Sequence, residues 1–151
     1  MKTRFYLLIA LGVFVAAAVV GDLLAATTIA GRPLDQALGE HLDWWRGQTA
    51  IGLAFMIAPF AVLALLCGWL NEGRATWKAV GLFAVAMAVL AWTYVDTFEQ
   101  AQHALQAERW TAAGLVWLFP TLLVGPAVVA VAGLVAIVLA WRERPREEEA
   151  R

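Results

Sequence analysis

Four long apolar runs separated by short polar stretches organise the chain, at residues 5–26, 48–70, 77–98 and 112–141. Each holds the roughly 20 apolar residues that a helix needs to cross ~30 Å of hydrocarbon. Inside that layer every backbone N–H and C=O must find a partner within the protein, which a helix provides and an open strand does not. The runs are also too long and too evenly apolar for the alternating pattern of membrane strands. The pattern therefore predicts an all-α integral membrane protein, a bundle of four transmembrane helices forming one domain over residues 1–151. Lys2 and Arg4 before the first run fit a signal anchor that is kept as the first helix.

The polar stretches carry patterns of their own. Residues 33–45 predict an amphipathic helix starting at Pro33, with Leu34, Leu38, His41, Leu42 and Trp45 on one face. Gln36, Gly39, Glu40 and Asp43 take the other face, so the helix is expected to lie along the outer surface. The third run turns polar at Tyr94 without any turn residue, which predicts that its helix extends beyond the membrane. Asp96, Glu99 and His103 then share one side of that extension, and Tyr94, Phe98, Ala101 and Leu105 share the other. Pro59 should bend the second span and free the carbonyl of Phe55. Pro120 and Pro126 interrupt the fourth run, which is longer than one crossing requires. A kink near Pro120 is expected there, with a separate interfacial segment over 111–119 as the alternative. Small residues spaced four apart, Gly12/Ala16, Ala54/Ala58, Ala84/Ala88 and Ala132/Ala136/Ala140, fit close helix packing.

Charge sets the expected orientation. Lys2, Arg4, Arg74, Lys78, Arg142, Arg144, Arg146 and Arg151 fall on the side of both termini, against Arg32, Arg46 and Arg109 on the other. By the positive-inside rule both termini, with the charged tail 142–151, are cytoplasmic. The outer side carries seven acids against three bases, a net charge of −4, so its face is acidic. Tryptophans sit near both predicted interfaces, as amphipathic rings should. A composition 62% hydrophobic and 15% charged lies well away from the usual soluble mixture, and Gly-, Ala- and Arg-rich usage with compact loops suggests a bacterial inner membrane.

Chemistry is sparse. No ionisable residue stands at mid-depth in any span, which disfavours proton-coupled transport. Cys67 is alone and Ser is absent, so an internal disulfide, a CxxC motif or a serine nucleophile is excluded. The basic residues form no dense stripe for nucleic acid. His41, Asp96, Glu99 and His103 are the candidate metal ligands, a set suited to zinc, copper or iron. The plainer expectation for His41 is a partly buried imidazole bonded to a loop carbonyl or to Asp22. The sequence thus predicts a non-enzymatic accessory or assembly subunit that holds no cofactor. It would contact membrane lipids and bind another membrane or periplasmic protein through its acidic outer cap. The alternative is an outer-surface metal or lipid site built on those four residues.

Overall fold

The structure, a computed structural model, describes residues 3–72 and 76–143. Among these residues six α-helices follow in order: α1 (Thr3–Leu24), α2 (Leu34–Gly47), α3 (Ala50–Glu72), α4 (Thr76–Gln106), α5 (Trp110–Val116) and α6 (Gly125–Glu143). Among the described residues there is no strand. Four helical stretches are long and apolar enough to cross a membrane: Thr3–Ile29, Ala50–Glu72, Trp77–Gln106 and Trp110–Arg142. The inner turn around Gly73 and Arg74, Lys2, and the tail beyond residue 143 lie outside the described residues.

Two helices end by recognisable chemistry. α1 runs into a π-helical turn, Ala25–Ile29, where Thr27 and Thr28 hydroxyls donate to the carbonyls of Leu23 and Leu24 at 2.7 and 2.6 Å. Those bonds engage carbonyls beside a stretch whose ladder has slipped from its regular spacing. Gly31 then takes φ 65°, and the Arg32 N–H closes the turn on the Ala26 carbonyl. α4 continues unbroken to Gln106, as its missing turn residue predicted. It stops in a Schellman motif, with Arg109 N–H on Ala104 O at 2.8 Å, Glu108 N–H on Leu105 O at 3.0 Å, and Glu108 at φ 57°.

The long helices pack through side chains that lipid cannot drive together, so close fit matters more than apolarity. α1 packs on α3 and α4, and α6 on α3 and α4 as well. Their shared core holds Tyr6, Phe14, Phe60, Leu63, Leu90 and Tyr94, all fully buried. Phe14, Phe60 and Tyr94 meet edge to face at 5.2–5.9 Å. At the crossing of α1 and α4, a Cβ on Gly21 would lie 2.7 Å from Phe98 Cδ2 and 3.0 Å from Val95 Cα. The expected small-residue spacings are mostly elsewhere: Gly12/Ala16, Ala54/Ala58 and Ala84/Ala88 face outward, while Ala132 and Ala136 are buried. Periodicity of small residues does not say which side of a helix meets its own chain.

Pro59 sits inside α3 and is buried. The Tyr94 hydroxyl donates to Met56 O at 2.7 Å, one residue beyond the Phe55 carbonyl that Pro59 deprives of its donor. The fourth span is irregular where its prolines predicted, with a π-helical turn over Pro120–Val124. Gly125 at its end leaves room for the Pro59 ring, which a Cβ would approach to 2.8 Å. The hydroxyls of Thr93 and Thr121 turn back on their own helices, donating to Val89 O and Trp117 O. Trp69, Trp77, Trp92, Trp110 and Trp141 are exposed at the helix surfaces, whereas Trp44, Trp45 and Trp117 pack inward.

Two pairs of substitutions test this packing by reversible unfolding in micelles. Gly21→Ala is expected to cost about 1–3 kcal/mol through overpacking, while Gly12→Ala, with nothing within 4 Å, leaves stability unchanged or slightly raised. Tyr94→Phe should cost about 0.6–1.7 kcal/mol, the range of an interhelical hydrogen bond in lipid. Tyr6→Phe should cost nothing, because the buried Tyr6 hydroxyl has no hydrogen-bond partner among the described residues.

Candidate functional site

The polar residues gather at the end of the molecule where α2 crosses the tops of the long helices. Asp22 lies in the last turn of α1, among buried Ala18, Gly21 and Ala25. His41 comes from the middle of α2 and is 4% exposed. Its Nδ1 stands 2.7 Å from Asp22 Oδ2, and the Trp45 indole N–H donates to its Nε2, also at 2.7 Å. An indole nitrogen has no lone pair to accept with, so Nε2 is the acceptor. The imidazole is therefore neutral, with its proton on Nδ1 facing the carboxylate. Trp44 stacks on the His41 ring at 6.0 Å, and Trp45 reaches on to Phe14 at 6.2 Å. One continuous run of contacts thus joins α2 to the core.

A carboxylate that orients an imidazole is half of a nucleophile-and-base arrangement. Here the place of the nucleophile is taken by the Trp45 N–H, which cannot attack anything. The trio is a clamp, holding α2 against α1. Of the two partners expected for His41, the structure selects Asp22.

The four candidate ligands do not converge. His41 has both ring nitrogens engaged, and His103 is exposed near the end of α4. Asp96 accepts from Gln100 at 2.5 Å, one turn along its own helix, and Glu99 is half-buried. Among the described residues no group of three or more His, Cys, Asp or Glu stands close enough to hold a metal ion. The helical stripe expected from the sequence is real on α4, with Tyr94, Phe98 and Ala101 buried on the opposite side. α2 simply brings its histidine to Asp22 instead.

The face that α2 turns inward also differs from the expected one. Ala37 and His41 are buried and Trp44 and Trp45 half-buried, but Leu34, Leu38 and Leu42 remain 58%, 42% and 55% exposed. At ~100° per residue, the apolar arc of α2 is wide enough to divide. One half meets the molecule's own core, and the leucine half turns away from it. Asp35, Asp43 and Arg46 are exposed on the remaining side.

On the flank of α2 away from the leucines lies a cavity of about 230 Å³ between α1, α2, α4 and the end of α5. Asp22, Arg32 and Glu40 supply its charged lining, and Trp44, Phe98 and Trp117 its aromatic wall. The three rings pack on one another, with centroids 4.5–6.1 Å apart. Arg32 is ion-paired with Glu40, which also accepts from Gln36 at 2.9 Å. Gln106 donates to Ile29 O at 2.5 Å and ties α4 to the end of the first span above it. The tryptophans of this wall also suit a membrane interface, which masks it in the sequence. The signal for it is Trp44-Trp45 placed one turn after a histidine, a cluster no lipid-facing helix needs.

Four helical stretches able to cross a membrane, capped at one end by a short clamped helix, suggest a multi-pass membrane protein. Comparison with known protein families, with curated proteins and with solved structures finds no match.

The two histidines should therefore behave differently. His41→Ala leaves Asp22 and Trp45 without their bonds and is expected to lower stability by about 2–3 kcal/mol. His103→Ala should stay within about 0.5 kcal/mol of the parent protein, as exposed substitutions do. Unfolding curves in micelles, with and without added zinc, read both effects.

Proposed function

We propose that the chain is a non-enzymatic accessory or assembly subunit of a bacterial inner-membrane complex, binding a partner protein through the acidic cap. In this reading the four spans form a bundle with both termini in the cytoplasm and α2 on the periplasmic side. The charge imbalance of the loops supports that orientation. The observation that carries the reading is α2 itself. It is fixed in place by a buried clamp, yet turns Leu34, Leu38 and Leu42 away from its own chain beside exposed Asp35 and Asp43. A rigid helix with an apolar stripe and acidic neighbours suits a helix-in-groove contact, in which apolar anchors at i, i+4 and i+8 enter a partner groove. The complementary partner presents an apolar groove edged by Lys or Arg at the level of the membrane surface.

The metal version of the outer site gains no support from this geometry, because His41 is spent on the clamp.

Site-specific photocrosslinking in cells tests the proposal. A photoreactive residue at position 38 is expected to give one discrete protein adduct, lost when Asp35 and Asp43 are both changed to Lys. The same probe at Ile137, exposed on the apolar surface of α6, should give none of that adduct. Adducts to lipid alone at position 38, together with a monodisperse particle free of any copurifying protein, would overturn it.

A further inference from the structure

We infer that the cavity beneath α2 is a binding site for an organic ammonium group, with Asp22 as its counter-ion and Trp44, Phe98 and Trp117 as its wall. This does not depend on a partner docking at the leucine stripe, which lies on the other flank of the same helix.

Charge comes first. Two acids, Asp22 and Glu40, line the cavity against one base, Arg32. The Arg32–Glu40 pair cancels itself, and His41 contributes a neutral ring. Asp22 is left as the uncompensated charge. Its side chain is only 20% exposed, and a carboxylate can accept several bonds, of which His41 supplies one. A largely desolvated anion with acceptor capacity to spare selects a cation that donates hydrogen bonds.

The wall selects the kind of cation. Trp44, Phe98 and Trp117 come from three separate elements and converge on this one space. Aromatic faces attract an ammonium and cover its carbon neighbours, which a hydrated metal ion does not require. Nor do three carboxylates, thiols or imidazoles converge on an ion among the described residues. The cavity is smaller than the ~300–1,000 Å³ typical of sites for drug-sized ligands. It therefore admits a headgroup-sized cation and leaves any chain outside.

Arg32 extends the selection. A guanidinium offers five donors, and pairing with Glu40 leaves some of them for an anionic group beside the ammonium. A zwitterion carrying ammonium and phosphate would place the first at Asp22 and the second at Arg32. Such a group could come from a lipid headgroup of the surrounding bilayer or from a water-soluble amine. The chemistry is shared, and the test separates the sources.

The full chain in neutral detergent micelles, titrated while tryptophan fluorescence is followed, decides the matter. Dihexanoyl-phosphatidylethanolamine is expected to saturate, with dihexanoyl-phosphatidylglycerol at least roughly tenfold weaker. Asp22→Asn and Trp117→Leu should each reduce the phosphatidylethanolamine affinity by a similar factor. If Asp22→Asn does not fold, Trp117→Leu carries the test, since it leaves the Asp22–His41 bond in place. Displacement of the lipid by millimolar ethanolamine supports the site and assigns it to soluble amines. Saturation that ethanolamine does not displace supports it and assigns it to the lipid. Equal binding of the two lipids, no saturable binding of either lipid or ethanolamine, or unchanged affinity in folded Trp117→Leu would overturn the proposal.

Discussion

A carboxylate at the edge of an apolar span must be paired or wet, because burying it alone is expensive. Asp22 meets that constraint through His41, and much of the capped end follows from it. That bond holds α2 against the end of α1. Trp45 then falls over Phe14, Trp44 falls against Phe98 and Trp117, and the Arg32 turn closes the side. The chain reversal at Gly31 and the slipped ladder at Ala25–Ile29 are what deliver α2 at this height. A single hydrogen-bonded trio thereby fixes a helix, orients an aromatic cluster and leaves a charged cavity behind it.

Below the cap the governing constraint is different. Lipid tails are as apolar as the helix surfaces, so contact depends on fit, and fit depends on a few positions. Gly21 lets α1 touch the backbone of α4 at Val95. Gly125 receives the ring of Pro59, and Gly68 receives Thr3, whose hydroxyl reaches Glu72 at 3.0 Å. Thr93 and Thr97 are met on their own helix, and Tyr94 reaches across to the carbonyl of Met56 on α3. Thr93, Thr97, Tyr94 and Thr121 thus all donate to backbone carbonyls of the long helices.

Much of this was legible in the chain, and the parts that were not share a cause. Run length and hydropathy located four spans, and the unbroken polar exit after Tyr94 located the extension of α4, because each is a property of one helix. Likewise Pro33 and the apolar spacing located α2. What periodicity does not give is the pairing of faces between helices. It marks Leu34, Leu38, His41, Leu42 and Trp45 as one apolar arc, but not that the arc divides between the core and the outside. It marks Gly12 and Ala16 as small, but the close approach is at Gly21, two turns away. It groups His41 with His103 because both are histidines on the same side, whereas the fold gives His41 to Asp22. The cavity was the least visible of all, since its wall comes from residues far apart in sequence and its tryptophans also suit a membrane interface.

His41 is a buried, neutral clamp with a fixed tautomer. Nitrogen-15 NMR of the histidine-labelled protein in micelles reads this directly, with His103 replaced so that one imidazole remains. A single tautomer is expected, protonated at Nδ1 and bare at Nε2, whose proton exchanges slowly with water. A ring protonated at Nε2, or two tautomers interconverting rapidly as in free imidazole, would contradict it.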